Sequence, residues 1–347
     1  MTTRVLAAGD HFVLPGLLAD AVRDAAGQAG TKVEVTELTL PWPVEPFGPV
    51  AEVNEASGTE DEMIAALRDA EVCVTQMGPL TGRILDASPA LRLFGVGRGG
   101  PVNANVPAAT EHGVAVCFAP GRNATATAEH TLGMILAAAR RIPQTHAELV
   151  AGRWRGDYYR YEDVGIELDG ATAGLVGAGA VGGKVAAMLA AFGARVLVYD
   201  PYLADDRLPG VERVTLEELL SRSGIVSLHA RATPQTAGMI DANRIAAMPP
   251  GSIIVNCARG ALLDYDAACD ALDSGHLFGA AFDVFPTEPI PSGSRLLTTP
   301  GIVLTPHLAG ASKQTAANAA RIVADDVARF LGGKPPVHCA NPEVLPR

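Results

Sequence analysis

The chain has 347 residues, 48% apolar and 19% charged, enough for a large core and, at roughly 150 residues per domain, for two domains. Its 38 acidic residues against 27 Lys and Arg leave a net charge of −11. That balance argues against nucleic acid or a membrane surface as partner, since both need a basic face. The five cysteines, Cys73, Cys117, Cys257, Cys269 and Cys339, are scattered with no CxxC pair and no zinc spacing; they read as buried free thiols, and no metal site is expected.

The opening MTTRVLAAGDHF has no apolar stretch of signal-peptide length, so a cytoplasmic protein is expected. The periodicity predicts a strand over Val5–Ala8, a helix over Pro15–Gly27 and a strand over Lys32–Thr39; the Pro-rich PWPVEPFGP after it is a loop. A helix over Asp61–Ala70 leads to strands at Val72–Thr75, Leu91–Val96 and Val114–Phe118, the rhythm of a parallel sheet. Thr125–Arg141 reads as a long helix, and Gly152–Asp169, aromatic and charged with weak periodicity, as an extended connection. Further strands follow at Ala173–Val176, Arg195–Tyr199, Ile225–His229, Ile253–Asn256, Ala280–Val284 and Ile302–Thr305, with helices at Leu216–Ser221 and Tyr265–Asp273. A last helix runs from about Lys313 to Leu331 and is stopped by GGKPPV. The simplest architecture is two α/β domains, each a doubly wound parallel sheet, with a ligand cleft expected between them.

Residues 171–199 are apolar enough to suggest a membrane span, but glycines, Lys184 and Arg195 interrupt them and they alternate as strand, helix and strand. Within them Gly177-Ala-Gly179-Ala-Val-Gly182 follows one strand and opens a helix, and the next strand ends on Asp200, 18 residues after Gly182. Gly177 allows the tight turn, Gly179 lets backbone approach a pyrophosphate, and Gly182 lets helix and strand pack closely. The helix N-terminus offers N–H groups to phosphate. An acid at Asp200 accepts hydrogen bonds from an adenosine ribose and repels a 2′-phosphate. The unit therefore predicts dinucleotide binding, NAD rather than NADP.

Three polar residues sit at the ends of later strands: Arg259, Glu288 and His307. Taken singly, each reads equally as a loop arginine, a solvated turn residue and a core or helix-start histidine. Beside a nicotinamide site they form a set. A guanidinium grips a carboxylate and polarises a carbonyl; histidine exchanges a proton with an alkoxide; a carboxylate orients the histidine.

The stretches GLVGAGAVGGKVA, VNCARGALLDYDA, GAAFDVFPTEPI and LTPHLAGAS resemble those of the D-isomer-specific 2-hydroxyacid dehydrogenases, which include phosphoglycerate dehydrogenases and glyoxylate and hydroxypyruvate reductases. The resemblance covers nearly the whole chain and is strongest over 170–312. It implies two Rossmann/flavodoxin-like domains, the substrate domain from 1–118 and 310–347 and the NAD domain from 119–309, joined by the helices at 125–141 and 313–331. It implies that Arg259 binds substrate, that His307 is the acid/base and that Glu288 is its partner. Asp283 would meet the nicotinamide carboxamide, and Ala180 and Val181 would cover the pyrophosphate. Ala230, Cys257, Ala258 and Gly310 would complete the cofactor site. A 2-oxoacid or 2-hydroxyacid substrate and a homodimer through the cofactor domain are also implied, with Tyr158, Tyr159 and Tyr161 either at the dimer interface or simply packed.

The loop Gly97-Arg98-Gly99-Gly100-Pro101-Val102-Asn103-Ala104-Asn105 departs from the family's Gly-x-Asp-Asn pattern. Arg98, Gly99 and Gly100 are its substrate-binding candidates, and Arg98 suits an extra anion as well as it suits a structural salt bridge. Arg231 stands where many relatives have proline, near the expected adenosine site, and weakens the case against NADP. Formate dehydrogenases share the fold but carry glutamine where Glu288 stands. The alternative of another class is a non-catalytic NAD(H)-sensing protein of the corepressor type, although no disordered partner-binding tail is evident. The chain ends soon after the returning helix, so the regulatory extension of some phosphoglycerate dehydrogenases is not expected.

Overall fold

The computed structural model describes residues 2–203 and 208–345. The chain divides into two compact units, Met1–Asn123 with Ser312–Arg347, and Ala124–Ala311.

The first unit contains β1 (Thr3–Gly9), α1 (Pro15–Gln28), β2 (Val33–Thr39), β3 (Gly48–Val50), β4 (Val53–Ala56), α2 (Glu60–Leu67), β5 (Val72–Thr75), α3 (Gly82–Ala87), β6 (Leu93–Val96), α4 (Val106–Glu111) and β7 (Ala115–Phe118). Five strands form a parallel sheet in the order β2-β1-β5-β6-β7, the doubly wound order of flavodoxin-like folds. Strands β5 and β6 are buried along their whole length, which is why they read as unbroken apolar runs rather than alternating ones. Leu18, Ala19 and Val22 of α1 share one core with Val5, Val74 and Leu93, and with Ala316, Ala319 and Val323 from the far end of the chain.

The second unit contains α5 (Ala124–Ala139), α6 (Ile142–Val150), β8 (Thr172–Val176), α7 (Gly182–Ala191), β9 (Arg195–Tyr199), β10 (Glu212–Arg213), α8 (Leu216–Arg222), β11 (Ile225–Leu228), α9 (Ala242–Ala246), β12 (Ser252–Asn256), α10 (Tyr265–Asp273), β13 (Leu277–Phe282) and β14 (Ile302–Leu304). The chain then returns to the first unit through α11 (Lys313–Leu331). That helix passes so close to β6 that a Cβ on Gly95 would lie 2.4 Å from Val323. The seven strands of the second unit are all parallel, in the order β10-β9-β8-β11-β12-β13-β14. This is the Rossmann order, with its switch point between β8 and β11. Among the described residues no helix is long and apolar enough to cross a membrane.

Several sequence expectations need correction. The long helix ends at Ala139; Arg141 takes a left-handed φ of 51° and a separate helix, α6, follows. The 152–169 connection is a series of turns around one 3-10 turn, Gly156–Tyr159, rather than an extended segment. The Pro-rich loop ends in an antiparallel hairpin, β3–β4. Short helices α3, α4 and α9 were not foreseen. The strand expected over Ala280–Val284 is Leu277–Phe282, so Asp283 lies just beyond its end.

Candidate active site

Because all seven strands of the second unit run parallel, their carboxyl ends lie along one edge of the sheet. Gly177 follows β8, Asp200 follows β9, Cys257–Arg259 follow β12, Asp283 follows β13 and Thr305–His307 follow β14. Topology alone thus brings the candidate residues of this unit to a single edge.

The glycine turn is tightly built. Gly177 has a φ of 96°, and a Cβ there would lie 2.8 Å from the His229 carbonyl carbon. A Cβ on Gly182 would lie 2.2 Å from the Gly177 carbonyl oxygen, so the start of α7 sits directly on the turn. Gly179, by contrast, has open space around it. No side chain caps α7, although the Gly183 N–H already donates to the Gly179 carbonyl at 2.9 Å and the Lys184 N–H to the Val181 carbonyl at 3.0 Å. Asp200 accepts the Ala178 N–H through Oδ2 at 2.8 Å and the Tyr202 N–H through Oδ1 at 2.9 Å. Its carboxylate therefore braces the turn, a task the sequence did not reveal. Ala180 is exposed, Val181, Ala230, Ala258 and Gly310 are half-buried, and Cys257 is buried, with burial pushing its thiol up to about 12. Arg231 is exposed.

His307 and Glu288 come together. The imidazole Nδ1 lies 2.7 Å from Glu288 Oε2, and Glu288 Oε1 accepts the Phe285 N–H at 2.9 Å. Nδ1 is occupied by the carboxylate, and Nε2 is left for another partner. His307 itself has a φ of 53°, uncommon for a residue with a Cβ. Asp283, 1% exposed, holds that turn: its carboxylate accepts the Thr305 hydroxyl at 2.6 Å, the Leu308 N–H at 2.8 Å and the Ala309 N–H at 2.9 Å. Its backbone carbonyl accepts the His307 N–H at 2.9 Å. Thr305 also meets His130 Nε2 from α5 at 3.0 Å. Both carboxylate oxygens of Asp283 are thus engaged by the turn.

Arg259 is exposed, and its Nη1 donates to the Ala258 carbonyl at 2.6 Å. Its loop is shaped by the buried Asn256, which accepts the Ala258 N–H at 3.0 Å and donates to the Arg259 carbonyl at 2.9 Å and to Tyr265 Oη at 3.0 Å. Sequence reasoning passed over Asn256, Tyr265, Thr305 and His130 as site-builders. A polar residue closing the apolar run Ile253–Val255 was the available signal for Asn256; for His130 there was none.

In the first unit, Arg98 is ion-paired with Glu55 and also donates to the Glu55 carbonyl at 3.1 Å. Gly99 and Gly100 have open space where a Cβ would stand. Asp10, at the end of β1, accepts the Phe12 and Val13 N–H groups on Oδ1, while its buried Oδ2 has no partner among the described residues; burial raises its pKa. Burial, and then the neighbouring Arg98 charge, push Arg122 down to about 10.

The model of the NAD-binding domain described as D-isomer specific 2-hydroxyacid dehydrogenase matches residues 132–309. The chain belongs to the D-isomer-specific 2-hydroxyacid dehydrogenase family. It is 37% identical over 306 residues to a D-3-phosphoglycerate dehydrogenase of Mycobacterium tuberculosis, covering 87% of this chain and 57% of that one. A D-3-phosphoglycerate dehydrogenase of Methanocaldococcus jannaschii is 36% identical over 321 residues, 91% of this chain and 60% of the relative. The chain therefore spans a little over half the length of these relatives. The crystal structure of the TT0316 protein from Thermus thermophilus is 32% identical with a TM-score of 0.76, covering 97% of this chain and all of that one. The matched part is the dehydrogenase family's NAD-binding domain, and the second unit's residues fit that cofactor: an uncapped helix start, an open approach at Gly179, and an acid after the second strand.

Proposed function

We propose that the protein is an NAD(H)-dependent 2-oxoacid reductase, or D-2-hydroxyacid dehydrogenase in the reverse direction. The observation that carries this reading is the His307–Glu288 pair at the strand edge that also bears the glycine turn. Bound NADH supplies the hydride that goes to the substrate's C2. Glu288 fixes the imidazole through Nδ1, so His307 Nε2 is the atom that gives a proton to the alkoxide oxygen and removes it in the reverse direction. Arg259 binds the substrate carboxylate and polarises the carbonyl with its planar fork. The Gly177, Gly179 and Gly182 turn with Ala180 and Val181 receives the pyrophosphate, and Asp200 the adenosine ribose, which favours NAD over NADP. Ala230, Cys257, Ala258 and Gly310 line the cofactor, while Asp283 orders the catalytic turn and reaches the nicotinamide end through it.

Residues 1–118 and 310–347 form the substrate domain, and 119–309 the NAD domain. In the substrate domain Arg98, Gly99 and Gly100 are assigned to substrate. Glu55 already neutralises Arg98, so an added phosphate gains little there; this favours a small unphosphorylated 2-oxoacid over the phosphorylated substrate named in the relatives. The exposed apolar side chains of the 142–161 segment, among them Val150, Trp154, Tyr159 and Tyr161, support a homodimer that covers them.

The test is loss of NADH absorbance with glyoxylate, hydroxypyruvate, pyruvate, phosphohydroxypyruvate and four- to six-carbon 2-keto sugar acids, repeated with NADPH. Turnover of a 2-oxoacid with NADH is expected. NADH binding without turnover of any of them would overturn the reading.

A further inference from the structure

We propose that Cys117 and Cys339 are the two halves of a reversible disulfide, with Cys339 the thiol that reacts first with a hydroperoxide. Cys117 lies in β7, the last strand of the five-stranded sheet, and is buried; Cys339 lies in the segment after α11 and is half-buried. The two residues face each other in an antiparallel bridge. The Phe118 N–H donates to the His338 carbonyl at 3.0 Å and the Ala340 N–H to the Val116 carbonyl at 2.8 Å. These bonds flank the cysteine pair instead of joining it, so it is a non-hydrogen-bonded pair, with Cα atoms about 4.5 Å apart and side chains close. That spacing falls within the roughly 4.4–6.8 Å usual for disulfides.

The facing arrangement is fixed from outside the pair. The Asn341 side chain accepts the Val116 N–H at 2.8 Å and donates to the Val114 carbonyl at 2.9 Å and to Thr110 Oγ1 at 3.0 Å. The buried Asp326 carboxylate accepts the Val337 and His338 N–H groups and lies 3.0 Å from His338 Nδ1. These bonds hold the segment that carries Cys339 against β7, with Cys339 opposite Cys117. The facing Cys117 thiol lowers the Cys339 pKa, while the same contact and burial raise that of Cys117; the Cys339 thiol also donates to Asn341 Oδ1 at 3.6 Å. The thiolate is the nucleophilic form, so the more accessible sulfur is also the more reactive.

The Cys339 thiolate attacks one peroxide oxygen, the O–O bond breaks, and the other oxygen leaves as an alcohol, or as water from hydrogen peroxide. Cys339 is then a sulfenic acid. The Cys117 sulfur attacks the Cys339 sulfur, the S–S bond forms, and hydroxide departs with the Cys117 proton as water. Two electrons pass from the sulfurs to the peroxide; two thiols and one hydroperoxide give one disulfide, one alcohol and one water. A dithiol reductant reverses the bond by exchange. The covalent loop so closed contains the whole sequence of the second unit.

The reduced full chain is treated with one equivalent of hydrogen peroxide, then denatured and blocked with N-ethylmaleimide, and measured by intact mass and peptide mapping. The expected result is three blocked thiols, a Cys117–Cys339 cross-linked peptide, and return to five blocked thiols after dithiothreitol. Cys73, Cys257 and Cys269 are buried and serve as internal controls. Cys117→Ala is expected to leave a dimedone-reactive sulfenic acid at Cys339 and to slow its alkylation at pH 7 several-fold. Five unchanged thiols, a cross-link between chains, or sulfinic acid at Cys339 without a cross-link in the unsubstituted protein would each overturn the proposal.

Discussion

Glu288 holds His307 Nδ1 with one carboxylate oxygen, at 2.7 Å, and its own loop backbone with the other, at 2.9 Å. The ring's free nitrogen is thereby aimed by a group that is itself anchored. His307→Ala removes the proposed proton relay and leaves the glycine turn untouched. Turnover of the preferred 2-oxoacid is expected to fall by about 10²–10⁴-fold, with NADH affinity within about twofold of the starting value by fluorescence titration. Near-normal turnover would remove His307 from the mechanism.

Arg259→Lys keeps the charge and loses the fork. A point charge cannot grip a carboxylate with two parallel bonds, so kcat/KM for the 2-oxoacid is expected to drop at least tenfold, roughly one charge-assisted hydrogen bond at 1.5–3 kcal/mol. NADH binding measured in the same preparation should not move.

Gly182→Ala places a methyl group 2.2 Å from the Gly177 carbonyl oxygen. Backbone must give way, at a cost of about 1–3 kcal/mol, and the displaced turn no longer presents α7 to phosphate. Thermal unfolding should shift down, and calorimetry should show NAD affinity reduced by an order of magnitude or more. Gly179→Ala, which meets open space, should leave the melting temperature unchanged and weaken only the cofactor.

Glu55→Gln frees Arg98 of its carboxylate partner while keeping the side-chain size. The KM for phosphohydroxypyruvate is expected to fall several-fold relative to that for glyoxylate, because an unpaired guanidinium now meets the phosphate. An unchanged ratio of the two would detach Arg98 from substrate choice.

Loss of water around its ring pushes His229, whose Nε2 lies 3.0 Å from Ser227 Oγ, down to about 4. Its folded pKa lies below the unfolded value of about 6.5, so the unfolded chain binds the extra proton first. The associated stability is present above pH ~6.5 and is lost as pH falls towards 4, at most about 3 kcal/mol. Denaturant titrations across that window should show a slope that His229→Asn reduces; equal slopes would contradict the assignment.

Much of this architecture was legible because parallel, fully covered strands leave plain traces. Val72–Thr75 and Ile253–Asn256 are apolar at nearly every position, and the glycine spacing after β8 has few other physical explanations. The missed elements lack such traces. The apolar residues of α6, among them Ile142, Leu149 and Val150, are exposed rather than buried, and Pro143, which breaks a helix interior, is harmless in a first turn. The β3–β4 hairpin turns through Ala51 at a φ of 48°, a geometry that residue type does not advertise. In the candidate site, the pairing of Glu288 with His307 was an expectation of the sequence that the structure bears out as a contact. The supports were not: His130 meets Thr305 across 175 positions, and Asp283 binds a turn more than twenty residues away. Pairings of that kind exist only once the sheet has set its strand order.

The first unit is assembled from the two ends of the chain, and α11 supplies part of its core beside β1, β5 and β6. During synthesis the ribosome releases the second unit's residues as one continuous piece, and that piece can complete its sheet first. The amino-terminal strands must wait, with the faces that Ala316, Ala319 and Val323 will cover still open, until α11 emerges. A stalled or shortened translation product would therefore carry a finished nucleotide-binding unit beside an unfinished partner, and the unfinished one is where chaperones and proteases would act.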